Sequence, residues 1–278
     1  MLQLFHSVSN DCSRLVTERY STSFCSAIRL LHKDLRQPIF NIYGFVRFAD
    51  EIVDTFHGHD KKALLAQFRK ETFEAIERKI SLNPILHSFQ QTVNSFEIDH
   101  ALIHSFFGSM EMDLERQCYD CNSYKEYIYG SAEVVGLMCL QVFCEGRKDL
   151  FENLTESARA LGAAFQKVNF LRDIKADYQD LSRMYFPACD FNNFTNEEKR
   201  QIEDDVQRDF REAYKGILAL PLKARFGVYV AYKYYLSLFR RIKKMKPALV
   251  LEKRVRIPNY GKMMIVIRAG VKNQLRLI

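Results

Sequence analysis

Apolar residues recur along this chain at three- and four-residue intervals, and no sustained run alternates with a period of two. That pattern predicts amphipathic helices and an all-α fold. A first helix over residues 3–32 is interrupted near Tyr20-Ser21-Thr22-Ser23-Phe24, where hydroxyls crowd among larger apolar side chains. The next opens at Pro38, a favoured first-turn residue. It runs through Tyr43 and Arg47 to about Phe56 and ends at His57-Gly58-His59-Asp60. Residues 61–80 read as a charged, solvent-facing helix. Asn83-Pro84 starts another, and one more spans Asp99 to Arg116. An apolar helix covers 122–145, and a long helix of small and apolar residues covers 155–180. The acidic segment 195–210 reads as solvated. After Pro221 a helix rich in tyrosine (Tyr229 to Tyr235) leads into the tail. No internal repeat or linker divides the sequence, so residues 1–278 are expected to form a single domain.

Composition sharpens this picture. With 278 residues, 47 % of them hydrophobic and 13 % aromatic, the chain can bury a large core. Its 6 Pro and 11 Gly are few, which favours long helices over turn-rich β structure. The net charge of +7 is unevenly placed. From Leu222 onward fifteen Lys and Arg face one acid, Glu252, so the first 221 residues are net negative. Nucleic acid is disfavoured as a partner, because no basic tract is interleaved with base-stacking aromatics. No run of 18 or more apolar residues offers a membrane span. The final segment, residues 261–278, mixes bulky apolar residues with spaced cations. It either packs as a terminal helix or lies on a bilayer surface.

Seven cysteines, an odd number, follow an N-terminus with no secretory pattern. Reduced thiols in the cytoplasm are the simple reading, with peripheral contact at the inner face of the cell membrane if the tail docks there. Cys118 and Cys121 with Cys139 and Cys144 have the outline of a zinc site. The second pair, however, lies in an apolar helical run, where cysteine acts as a small hydrophobe. The His57–Asp60 cluster reads as loop polarity past a helix end.

The residues that carry chemistry lie in two helices. Asn169, Asp173 and Asp177 are successive i, i+4 neighbours and line one stripe about two turns long. Arg47, Asp50 and Asp54 recur at three and four in the other, among apolar Phe45, Phe48, Ala49, Ile52 and Val53. Carboxylates at the edge of an apolar surface are costly unless a cation joins them. Amide and carboxylate oxygens are the hard ligands that Mg²⁺, or Mn²⁺, accepts. Such a metal bridging carboxylates to a diphosphate, with Arg47 and Arg172 alongside, neutralises a leaving group. Loss of diphosphate from an allylic carbon leaves a carbocation, which needs an apolar pocket with aromatic faces. The 22 Phe and 14 Tyr supply such faces. Small residues at Gly130, Gly136 and Gly162 let a helix or a bulky ligand approach the backbone. The hydroxyls of residues 21–23 either cap a helix break or donate to phosphate oxygens.

Taken in order, Tyr20–Phe24, Tyr43–Asp54, Tyr129-Gly130-Ser131-Ala132 and Gln166–Asp177 resemble the squalene/phytoene synthases, and most closely the bacterial phytoene synthases. The resemblance covers nearly the whole chain. It implies an isoprenoid (terpenoid) synthase fold, a helical bundle around a central cavity. It further implies a prenyltransferase that joins two prenyl diphosphates head to head through a cyclopropylcarbinyl diphosphate, releasing two pyrophosphates. Carried over, Asp50, Asp54, Asn169, Asp173 and Asp177 hold Mg²⁺. Tyr20, Ser21, Thr22, Ser23, Arg47 and Arg172 meet diphosphate oxygens, and Tyr43, Gln166 and Tyr235 contact substrate. Tyr129 and Tyr185 steer the cation or the second ionisation, and Asp113 sits where the family keeps an acid. Geranylgeranyl diphosphate giving phytoene is the expected reaction, without NADPH. Squalene or dehydrosqualene formation from farnesyl diphosphate is the alternative. A non-catalytic, membrane-associated scaffold of the same fold is more remote, since the motif acids are all present.

Overall fold

The computed structural model describes residues 1–115, 118–179, 183–187, 189, 194–252 and 254–275, with the backbone alone at 176–179 and 259. Among these residues no strand forms, and a lone parallel bridge joins Cys118 to Met184. The first helix, α1 (Leu2–Tyr20), stops where Ser21 turns extended. The Ser21 hydroxyl accepts the Phe24 N–H and so caps α2 (Thr22–Ile28), as the hydroxyl cluster leads one to expect.

The next helix, α3 (Lys33–Asp54), begins five residues before Pro38. The expectation of a start at Pro38 is therefore wrong. Lys, Leu, Arg and Gln at 33–37 are good helix formers, and Leu35 is buried, which outweighs the one backbone bond that Pro38 cannot make. Capping by Asp60 and Asn83 sets α4 (Lys61–Arg78) and α5 (Pro84–Phe96) where the sequence places them. Then come α6 (His100–Glu115) and α7 (Cys121–Ile128), a π-helical turn (Tyr129–Glu133), and α8 (Val134–Cys144). The long α9 (Lys148–Gln179) starts seven residues earlier than the pattern of small residues implies. It is followed by α10 (Asn196–Ala219), α11 (Leu222–Lys243), α12 (Pro247–Glu252) and α13 (Asn259–Gln274).

Two apolar cores flank a central cavity. One gathers α3 to α6 and α8 around Phe45, whose ring stacks on Phe89 at 3.8 Å. The other gathers α9 to α11 around Val168, Phe210 and Phe239. The acidic segment of α10 is not simply solvated. Ile202, Val206 and Phe210 are buried, and Lys167 of α9 bonds Asp205 at 2.5 Å and Asp209 at 2.7 Å. Its acids alternate with a core-facing stripe, which net charge alone conceals.

By length and hydropathy the stretch Cys121–Cys144 is apolar enough to cross a membrane, against the sequence expectation. Its most apolar window is 61 % buried within the protein, however, so that hydrophobicity goes to core packing. The zinc outline also dissolves. Cys118 and Cys121 are exposed, whereas burial pushes the Cys139 and Cys144 thiols up to about 12 and about 11, away from the thiolate form that metals need.

Backbone proximity around the π-helical turn positions the inner wall of the cavity. A Cβ on Gly162 would lie 2.5 Å from the Ala132 carbonyl oxygen, and one on Gly130 would lie 2.5 Å from that of Ser105. Neither carbonyl can retreat without moving a helix. Gly162→Val is expected to destabilise the protein by about 3 kcal/mol through overpacking, read by urea unfolding. A loss below about 0.5 kcal/mol would show that α9 does not approach the turn this closely.

Candidate active site

On α3, Tyr43, Arg47, Asp50 and Asp54 follow one another at helical spacing and face the same way. On α9, Gln166, Asn169 and Asp173 do likewise, with Arg172 beside them. Both sets line one cavity of about 610 Å³, a volume typical of ligand sites. At its mouth the acids are held by arginines. Arg47 pairs with Glu51 and stands 3.8 Å from Asp50, with its guanidinium 4.5 Å from the centre of the Tyr20 ring. The buried Arg47 Nε has no hydrogen-bond partner. Asp173 receives Arg172 at 2.5 Å and Arg254 at 2.8 Å.

Deeper in the wall sits a second acid cluster. Asp113 accepts hydrogen bonds from Tyr127 (2.6 Å), Tyr119 (3.0 Å) and Tyr185 (3.2 Å). Arg183 stands 4.0 Å from Asp113 and donates to Asp54 at 2.8 Å, bridging the cluster to α3. Burial works against the Arg183 charge, but Asp113, Tyr185 and Asp54 around it more than offset this and raise its pKa. Burial lifts the Asp113 carboxyl to about 6, against the pull of Arg183 and Tyr127. Asp50 is lifted to about 7, first by desolvation and then by neighbouring Asp54. A third of its side chain remains open, and it lines the cavity.

An aromatic wall connects the two acid helices. Phe165 stacks on Tyr235 at 3.9 Å, and Phe24 lies 5.7 Å from Tyr235 and 5.6 Å from Tyr43. The Tyr235 hydroxyl donates to the Asn169 amide oxygen at 3.3 Å. Beyond this wall the cavity turns apolar, between Leu31, Phe143, Leu154 and Leu220. One end thus offers guanidinium groups and carboxylates, and the other is mostly hydrocarbon surface, with Ser157 among it.

Of the predicted residues, Tyr20, Ser21, Tyr43, Arg47, Asp50, Asp54, Gln166, Asn169, Arg172, Asp173, Tyr185 and Tyr235 line this one cavity. Others do not. Thr22 is exposed and takes a hydrogen bond from Lys262, and Ser23 is not among the lining residues. Tyr129 also lies off the cavity. It opens the π-helical turn, packs against the first core and carries Arg159 5.4 Å above its ring. The side chain of Asp177 falls outside the described residues. Sequence reasoning assigned no role to Arg183 or Arg254. The Arg183-Met184-Tyr185 run was visible, but nothing local ties it to Asp54, and Arg254 lies within the basic tail. Among the described residues no three His, Cys, Asp or Glu side chains stand together as a ready-made metal cage.

A helical bundle around a cavity with a charged mouth and an apolar floor defines an all-α prenyltransferase of the isoprenoid synthase fold. The chain belongs to the squalene/phytoene synthase family, whose sequence signature matches residues 17–261. It is 28 % identical to a phytoene synthase of Arthrospira platensis, across 95 % of this chain and 93 % of that protein. It is 26 % identical to a 4,4'-diapophytoene synthase of Staphylococcus haemolyticus, across 71 % and 67 % respectively. Its fold matches the crystal structure of a ligand-bound dehydrosqualene synthase with a TM-score of 0.82, at 19 % identity over 97 % of this chain and 98 % of that one.

Two outcomes follow from the charge arrangement. Arg183→Leu leaves Asp113 and Asp54 without their shared cation and is expected to cost about 3 kcal/mol in urea unfolding. Adding Asp113→Asn is expected to recover part of that loss, and strict additivity would show that the two groups do not interact. Folded Asp50 binds its proton more tightly than the unfolded chain does. Its contribution to stability is full below about pH 4 and is lost as the pH rises through about 7. Without divalent metal, Asp50→Asn is therefore expected to raise the thermal midpoint by about 2–4 °C at pH 7.5 and by less at pH 5. A midpoint lowered at both pH values would contradict this.

Proposed function

We propose that this protein condenses two geranylgeranyl diphosphates head to head into phytoene, through a cyclopropylcarbinyl diphosphate and with release of two pyrophosphates. The observation that carries the reading is the polarity of the one cavity, with arginines and motif acids at its mouth and hydrocarbon surface below. Similarity to a phytoene synthase along nearly the full length of both chains supports the C20 substrate. The dehydrosqualene reaction on farnesyl diphosphate is the second reading, supported by the diapophytoene synthase relative.

The donor set at the mouth fits Mg²⁺, or Mn²⁺. Asp50, Asp54, Asn169 and Asp173 supply oxygen ligands, and Asp50 holds its proton toward neutral pH because burial, and then neighbouring Asp54, disfavour its charge. Mg²⁺ is commonly held by one or two carboxylates, which this donor set can supply, and completed by substrate phosphates and water. When bound, the metal neutralises charge on the departing pyrophosphate. Arg47, Arg172 and Arg254 face the same oxygens and add charge-assisted hydrogen bonds. Tyr43, Phe24, Phe165 and Tyr235 turn ring surface toward the allylic cation left when the carbon–oxygen bond breaks. The apolar floor keeps water from that cation.

In the balanced reaction the first cation adds to the double bond of the second prenyl chain, and one proton is lost as the cyclopropane closes. The second ionisation ends with loss of another proton, so phytoene formation needs no reductant. Hydride delivery in place of that last proton loss gives the squalene-type product.

Purified protein incubated with geranylgeranyl or farnesyl diphosphate and Mg²⁺, with and without NADPH, tests the proposal by the hydrocarbon formed. A C40 product independent of NADPH is expected, and a C30 product alone would select the second reading. Asp50→Ala and Asp173→Ala are each expected to lower turnover at least about 1,000-fold with the fold intact by circular dichroism. Turnover retained in either would remove the metal assignment.

A further inference from the structure

The outer face of α13 is a surface that catalysis leaves unused. At about 100° per residue, Tyr260, Met263, Met264, Ile267, Val271 and the following Leu275 fall within about 60° of one line along the helix. All six are 43–69 % exposed. The opposite face holds the helix in place, through buried Ala269 and partly buried Ile265 and Val266 against the second core. The sequence left packing and surface docking as alternatives for this segment, and the helix has one face suited to each.

Charge accompanies the apolar stripe. Exposed Arg268 and Lys272 border it along one edge, and no acid follows Glu252. On the adjoining α11, burial and then nearby Lys272 and Arg240 lower the Lys233 pKa, which marks a crowded positive field. The helix also stands beside the cavity mouth. Lys262 donates to Thr22 at 2.6 Å, next to Ser21 in the cavity lining, and Arg254 before α13 reaches Asp173.

We propose that α13 is a membrane-docking helix that seats the cavity mouth on an anionic lipid bilayer, with Met263, Met264, Ile267 and Val271 inserted among the acyl chains. An interfacial helix needs an apolar stripe bordered by cations, and both are present. A second copy of the chain is a poorer occupant, because a twofold contact would press together two identical faces that each carry Arg268 and Lys272 and no acid. An anionic bilayer attracts that same charge. The purpose of docking, passage of an oily product from cavity to bilayer, rests on the prenyl-diphosphate reading, whereas the docking itself rests on α13 alone.

Vesicle flotation of the full chain at low salt tests this without substrate. The parent is expected to float with phosphatidylcholine vesicles carrying roughly one third phosphatidylglycerol and to stay behind with phosphatidylcholine alone. Met264→Glu with Ile267→Glu should weaken flotation at least about tenfold, and Leu4→Glu with Leu15→Glu on the exposed face of α1 should not. If the first pair fails to fold, Arg268→Glu with Lys272→Glu on the same helix carries the same readout. Asp50→Asn should float like the parent, so failure of the catalytic reading and failure of docking are seen separately. Three results would overturn the proposal: no flotation of the parent, flotation indifferent to the α13 substitutions, or a solution dimer that Ile267→Glu dissociates.

Discussion

Negative charge gathered against an apolar hollow governs the architecture of this protein. Asp50, Asp54, Asp113 and Asp173 all line the central cavity, and water screens Asp113, the most buried of them, least. Arg47, Arg172, Arg183 and Arg254 converge on the same wall, from α3, α9, the segment after α9 and the tail. Their guanidinium groups keep the acids in place and leave positive charge directed at whatever anion enters. A diphosphate is such an anion, and its prenyl chain matches the hydrocarbon surface below.

Helix packing serves this arrangement. Close approach at Gly162 and Gly130 brings α9 and α6 against the π-helical turn, so that α3 and α9 both line one cavity of about 610 Å³. The buried Lys167 bond to Asp205 and Asp209 fixes α10 against α9, and the far end of α10 contributes Ala213, Gly216 and Ile217 to the cavity wall. The Asp113 cluster adds stiffness, because three tyrosine hydroxyls and Arg183 fix one carboxylate from several directions.

Much of this was legible in the sequence, because helical periodicity and i, i+4 spacing are local properties. The Ser21 break, the Asn83-Pro84 start and the two motif helices could be read directly. The position of Pro38 misled, since a proline marks a first turn by preference and Leu35 decided otherwise through burial. Tyr129 was placed by resemblance, and the turn it opens directs its ring toward Arg159. Arg183 and Arg254 were illegible as site residues, because their partners Asp54 and Asp173 are remote in the chain. The amphipathic tail showed both its faces in the sequence, but only packing could decide which of them meets the protein.

The central claim is that one cavity ionises two prenyl diphosphates and joins their chains. Its most direct measure is stoichiometry, with pyrophosphate and hydrocarbon counted in the same reaction of purified protein with geranylgeranyl diphosphate and Mg²⁺. The account predicts two pyrophosphates for each hydrocarbon formed. Pyrophosphate released with a prenyl alcohol as the sole product, or none released at all, would contradict it.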